Sequence, residues 1–208
     1  MTRTRSASVA VALVALAGCA SLPQGEYRDD RYQHREPAYS FRVPTAWRPL
    51  TETDVDGLGY FGQKLKFTHE PDRVRQEFIA WLKSQDAALI SSRGAAIFTL
   101  RTSNPDGFRL PREMEMTRAD RDFLISSFTK QFPAEQKDFS LDSVDLNQYG
   151  PNPALYVTMR SRHTALTPRA VVLTGRRHMI TFMHVGIPED TDADLDGLTE
   201  VARSFRFE

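Results

Sequence analysis

Cysteine is nearly missing from this chain: among 208 residues there is one, at position 19. Everything after it therefore lacks a disulfide, a cysteine-based zinc site and a thiol nucleophile. Net charge is missing too, with 27 Lys and Arg against 27 Asp and Glu. That balance gives no electrostatic case for nucleic acid or anionic lipid as a partner. Internal repeats are absent, as are H-E-x-x-H, G-x-S-x-G and a Gly-rich phosphate loop, so zincin-type, nucleophile-elbow and P-loop chemistries have no motif to rest on.

What is present begins with an N-terminal layout. Arg3 and Arg5 precede Val9 to Leu16, an apolar run of eight, and the small residues Ala17 and Gly18 follow. This is the order of a secretory signal peptide, too short for a permanent spanning helix. Leu16-Ala17-Gly18-Cys19 resembles the lipobox of bacterial lipoproteins. The resemblance implies that residues 1–18 are removed and that the Cys19 thiol takes a diacylglyceryl group, with further acylation of the new amino group, palmitate being the expected chain type. A signal peptide with a chance cysteine is the alternative. Acyl burial is worth about 0.8 kcal/mol per methylene, and two chains or more anchor stably. Position 20 is Ala, where Asp would resemble an inner-membrane retention signal, so the expected address is the cell envelope, at the outer membrane facing the periplasm.

Residues 20–37 hold Pro23, Gly25, Pro37 and the mixed-charge run RDDRYQHRE, with almost no aliphatic residue. Together with lipidated Cys19 they are expected to form a flexible tether, residues 19–37, with an average reach of about 25 Å. The Arg28, Arg31 and Arg35 cluster in it reads as a solvated spacer. A single domain is expected over 38–208. Tyr39 to Val43 alternates as a strand ended by Pro44, and Tyr60 to His69 alternates again. Pro71 suits a helix start, with Val74, Phe78, Ile79 and Leu82 at helical spacing, and Ala88 to Leu100 supplies one or two strands. Thr117 to Asp120 forms a capping box for a helix with Leu124, Phe128 and Phe132 on its stripe. Strands are expected at Ala154 to Arg162, Arg169 to Thr174 and His178 to Ile187, with Gly175-Arg176-Arg177 as a tight hairpin, then a helix from Asp192 to Phe205. The His178 strand is apolar on both faces, which calls for layers above and below a mostly antiparallel sheet.

The opening YSFRVPTAWRP, the late antiparallel run and the closing SFRF resemble the PsbP-like fold over about residues 38–208. The resemblance implies an α+β architecture, an antiparallel sheet with helices on both faces (an α/β/α sandwich), and assigns no functional residue.

Each candidate site has a plainer reading beside it. Asp192, Asp194, Asp196 and Gly197 copy the first half of a calcium loop, but Arg203 stands where the closing bidentate Glu belongs, so no metal is expected and the acids read as a helix N-terminus. Ser127 and Lys130 match S-x-x-K without the companion motifs. His178 and His184 share a strand face about 20 Å apart and cannot ligate one ion. His34 falls in the expected tether and His163 in a loop. Met114 and Met116 read as an edge strand or loop. Arg160, Arg162 and Arg169 lie at one end of a strand and Arg176 and Arg177 at the other, two small patches without a groove. No catalytic residue and no cofactor are therefore expected. The expected function is a membrane-anchored, non-enzymatic envelope lipoprotein that binds a protein partner or supports an assembly, with no role for nucleic acid. The alternative is a hydrolase or small-ligand binder whose site is dispersed in sequence.

Overall fold

The computed structural model describes residues 25–58, 69–111, 117–131, 139–161, 167–186 and 192–208, with backbone alone at 128–131, 139 and 192–193. In chain order the elements are β1 (Glu26–Arg28), β2 (Arg31–Arg35), β3 (Ala38–Arg42), β4 (Trp47–Pro49), a 3-10 turn (Glu52–Gly57), α1 (Pro71–Ser84), β5 (Ala87–Ser91), β6 (Ala96–Ser103), α2 (Arg118–Gln131), β7 (Phe139–Tyr149), β8 (Asn152–Ser161), β9 (Arg169–Thr174), β10 (His178–Val185), α3 (Asp192–Ser204) and β11 (Arg206–Phe207). Seven strands make one sheet, in the order β4-β5-β6-β10-β9-β8-β7, and four make a second, in the order β1-β2-β3-β11. Every pairing among the described residues is antiparallel.

The large sheet is covered on both faces. Alternation along β10 sends Ile180 and Phe182 to one side and Met179 and Met183 to the other, and β10 is flanked by β6 and β9. The first side meets Leu198, Val201 and Ala202 of α3 and Phe205 just after it, together with Tyr32, Tyr39 and Phe41 of the small sheet, in one core. On the second side Val74, Phe78, Ile79 and Leu82 of α1 cover Ile90 and Phe98, while Leu124 and Ile125 of α2 cover the patch around Val144, Leu155 and Val157. The fold class is therefore α+β, a mostly antiparallel sheet with helices on both faces, as expected. Pro71 stands in the first turn of α1. The capping box of α2 is made: the Thr117 hydroxyl accepts from the Asp120 amide at 3.2 Å, and Asp120 Oδ2 accepts from the Thr117 amide at 3.1 Å.

The domain starts earlier than the sequence led us to expect. Residues 26–35, expected as tether, form β1 and β2, and the chain is extended into the core by alternation alone. Tyr32 is fully buried and His34 nearly so, while Arg31, Gln33 and Arg35 face solvent. Charge on the outer face and aromatic rings on the inner one make a strand without any aliphatic residue. Strand β7 is a second correction by addition. A bulge between Leu141 and Ser143 absorbs one residue, so Leu141 packs on the same face as Val144 and Leu146 and the two-residue period is broken. Residues 60–68, 112–116, 132 and 163, which carry an expected strand, Met114, Met116, Phe132 and His163, lie outside the described residues, as does Cys19.

Candidate functional site

Two polar constructions stand out, one sealed and one open. The sealed one is built on Asp86, which sits just before β5 beneath the small sheet and is 8% exposed. Its Oδ2 accepts from the Tyr39 hydroxyl at 2.8 Å, and its Oδ1 lies 3.3 Å from the Arg101 guanidinium. The Tyr32 hydroxyl donates to its backbone carbonyl. His34 Nε2 is 3.6 Å from Oδ1, too far for a hydrogen bond, so that contact is electrostatic only. His34 Nδ1 lies 3.1 Å from the Pro37 carbonyl, and the ring stacks on Tyr39 with centroids 5.0 Å apart. Burial and the Asp86 charge push the Tyr39 hydroxyl pKa far above its ordinary value, which keeps it a donor. Arg101 also donates to the Glu36 carbonyl, so the cluster holds the β2–β3 turn against β6.

That turn is one wall of the open construction, a cleft of about 1070 Å³. Its walls are the β2–β3 turn with Arg35 and Glu36, the loop after β6 with Arg109, the β9–β10 turn with Arg176, Arg177 and His178, and the edge strand β11 with Phe207 and Glu208. All four arginines are exposed. Arg35 pairs with Glu26 at 2.9 Å, whereas Arg109, Arg176 and Arg177 form no ion pair with a described residue. The placement is rigid because Asn104, 4% exposed, ties two walls together. Its amide nitrogen donates to the carbonyls of Phe108 at 2.7 Å and Gly175 at 2.8 Å, and its backbone N–H donates to the Arg177 carbonyl at 2.7 Å. The Leu110 amide donates to Thr174 Oγ1 at 2.9 Å, which fixes the Arg109 loop on β9. Gly175 has room only for a hydrogen, since a Cβ there would come within 2.6 Å of the Phe207 ring. His178 is held below its ordinary pKa, by burial first and by Arg101 and Arg177, with Asp86 opposing. The cleft therefore presents guanidinium forks and a neutral imidazole, a chemistry suited to binding anions.

The fold sorts the sequence candidates cleanly. Asp192 to Gly197 is the first half of helix α3 and not a loop; Asp194 is buried, Asp196 is exposed, and Gly197 exists to let Trp47 approach, where a Cβ would meet the indole nitrogen at 2.3 Å. Among the described residues no three His, Cys, Asp or Glu side chains cluster as metal ligands. Ser127 and Lys130 lie one turn apart on α2. Arg160 pairs with Asp142 at 3.1 Å, and Arg169 sits at the far end of β9 from Arg176. His184 is 3% exposed beneath α3, edge-on to Trp47, and neither ring nitrogen has a hydrogen-bond partner, nor does the buried Asp194 Oδ2. Burial, aided by Arg169 and opposed by Asp194, brings its pKa down to about 4. What sequence reasoning missed is the company of Arg176 and Arg177. Arg35 and Arg109 join them only through the β2–β3 turn and the Asn104 clamp, and the sole local signal is the repeated placing of arginine in turns.

No helix among the described residues is long and apolar enough to cross a membrane. No family model and no curated protein matches the chain. Among solved structures it is similar to the solution structure of cyanobacterial PsbP (CyanoP) from Synechocystis sp. PCC 6803, with 17% identity, a TM-score of 0.46, and coverage of 93% of this chain and 99% of that one. That likeness concerns the course of the chain and assigns a role to no residue.

Proposed function

We propose that the chain is a lipoprotein of the bacterial cell envelope, anchored through lipid on Cys19 at the outer membrane and facing the periplasm, and that its domain works by binding, as an accessory module to another envelope component. The observation that carries the binding reading is the composition of the cleft. Arg35, Arg109, Arg176 and Arg177 line it together, and a guanidinium offers a planar fork of N–H donors and no acceptor, which suits holding an anionic group. The anchor reading is supported by Leu16-Ala17-Gly18-Cys19. Metabolic labelling with a fatty-acid analogue tests the anchor: wild type takes the label and Cys19→Ala does not. Crosslinking in intact cells tests the accessory role, with an envelope protein captured by wild type as the expected result. Turnover of an ester, peptide or glycoside substrate that His178→Ala abolishes in a folded protein would refute the binding reading.

A further inference from the structure

We infer that the arginine-lined cleft is a phosphate site for anionic lipid headgroups of the same membrane that holds the anchor, so that the domain docks with its β2–β3 and β9–β10 turns against the bilayer. The inference rests on the lipid-anchor reading and adds the ligand class and the orientation. Its first support is where the chain leaves the domain. Strand β1 pairs with β2 so that Glu26 stands opposite Gln33, and Glu26 Oε1 accepts from Arg35 at 2.9 Å. Residue 25 therefore departs beside a wall of the cleft.

The second support is length. Because β1 begins at Glu26, only residues 20–24 separate Cys19 from Gly25, and six Cα steps span at most about 20 Å. The cleft end of the domain is thus held next to the headgroups, while a full-length tether would have let the domain turn freely. The third support is charge. The chain is neutral overall, yet four arginines converge here against Glu36 and Glu208 in the lining, and Arg109, Arg176 and Arg177 have no described counter-ion. Surface attraction to anionic lipid fades within a Debye length of about 8 Å, so such a patch acts only when something holds it close. The anchor supplies that proximity, and guanidinium forks match phosphate oxygens two at a time.

The test uses residues 19–208 with Cys19→Ser, a chain that contains every strand and helix described and carries no lipid. It is co-sedimented with vesicles of phosphatidylcholine alone or mixed with phosphatidylglycerol. We expect partitioning onto the mixed vesicles only, weakened by salt, and a loss of about 30-fold in R176A/R177A, roughly fivefold per guanidinium. The charge-matched pair R73A/R75A on α1 should bind as the parent does. Calorimetric melting of each variant separates lost binding from lost folding. Equal losses in both pairs, no preference for the anionic vesicles, or binding of polyglutamate or inorganic phosphate without vesicle binding would each overturn the headgroup site. Fatty-acid labelling of wild type is run alongside. Absence of label removes the anchor reading and the orientation with it; label on wild type, with vesicle binding unaffected by R176A/R177A, removes the headgroup site alone.

Discussion

Replacing Asp86 with alanine is expected to destabilise the domain by about 3 to 5 kcal/mol, the range for breaking a buried ion pair from one side. The structure explains why the change is this large. The side chain is 5% exposed and faces three groups, the Tyr39 hydroxyl at 2.8 Å, Arg101 at 3.3 Å and His34 at 3.6 Å. Removing it strands the Tyr39 donor in a core formed by Tyr32, Phe41 and Phe205, where an unsatisfied hydroxyl costs about 1 to 3 kcal/mol by itself. The Arg101 side chain, 15% exposed, then keeps its charge with little water to answer it. Urea unfolding of wild type and Asp86→Ala measures the difference, and thermal melting should show a drop of roughly 10 °C. The double variant Asp86→Ala/Arg101→Met should regain part of the loss, since the stranded charge is gone as well. A single variant within about 1 kcal/mol of wild type, or a double variant no better than the single, would refute the account of Asp86 as the keystone of this cluster.

Truncating Phe182 or Phe205, both fully buried in the core that joins the two sheets, should cost about 3 to 5 kcal/mol each by denaturant unfolding. Gly197→Ala should destabilise by about 1 to 3 kcal/mol, because the new methyl must displace Trp47 from van der Waals overlap, and Trp47 fluorescence should shift with it. His184 gives a pH dependence. Its folded pKa, about 4, lies below the ordinary value of 6.5, so the unfolded chain binds the extra proton first. Stability is therefore full above pH 6.5 and falls as pH drops from there toward 4, by up to about 1.4 kcal/mol per unit, a slope that His184→Leu should lack in unfolding titrations. Calcium should give no saturable heat with residues 19–208, since Asp192 to Gly197 is helix and Arg203 occupies the closing position.

Much of the architecture was legible because burial imposes a period. Helix α1 announced itself through Val74, Phe78, Ile79 and Leu82, and β10 through apolar residues on both faces. Where a local device breaks the period, legibility ends. The bulge in β7 puts Leu141 and Val144 three residues apart on one face, and the charged outer side of β2 disguises Tyr32 and His34 as spacer. The cleft was illegible for a different reason. Its arginines come from residues 35, 109, 176 and 177, joined by Asn104 and by turn geometry, and neutral overall composition conceals any local surplus. A calcium-like motif was equally deceptive, since the same acids and glycine serve a helix start and a tryptophan contact.

The pairing of β11 with β3 sets a timetable for folding. Arg206 lies opposite Ser40 and Phe207 opposite Tyr39, the Ser204 hydroxyl accepts from the Arg42 amide at 2.9 Å, and the Glu208 amide donates to the Ala38 carbonyl at 3.0 Å. The first strands made are thus closed by residues made nearly 170 positions later, contacts whose wide sequence separation slows folding. Until residues 204–208 exist, Tyr39 and Phe41 have neither Phe205 nor β11 to cover them. The small sheet cannot close before residues 204–208 have been made. On the proposed envelope address that delay would be useful, because an unfinished chain still threads through a translocation channel and a finished one does not.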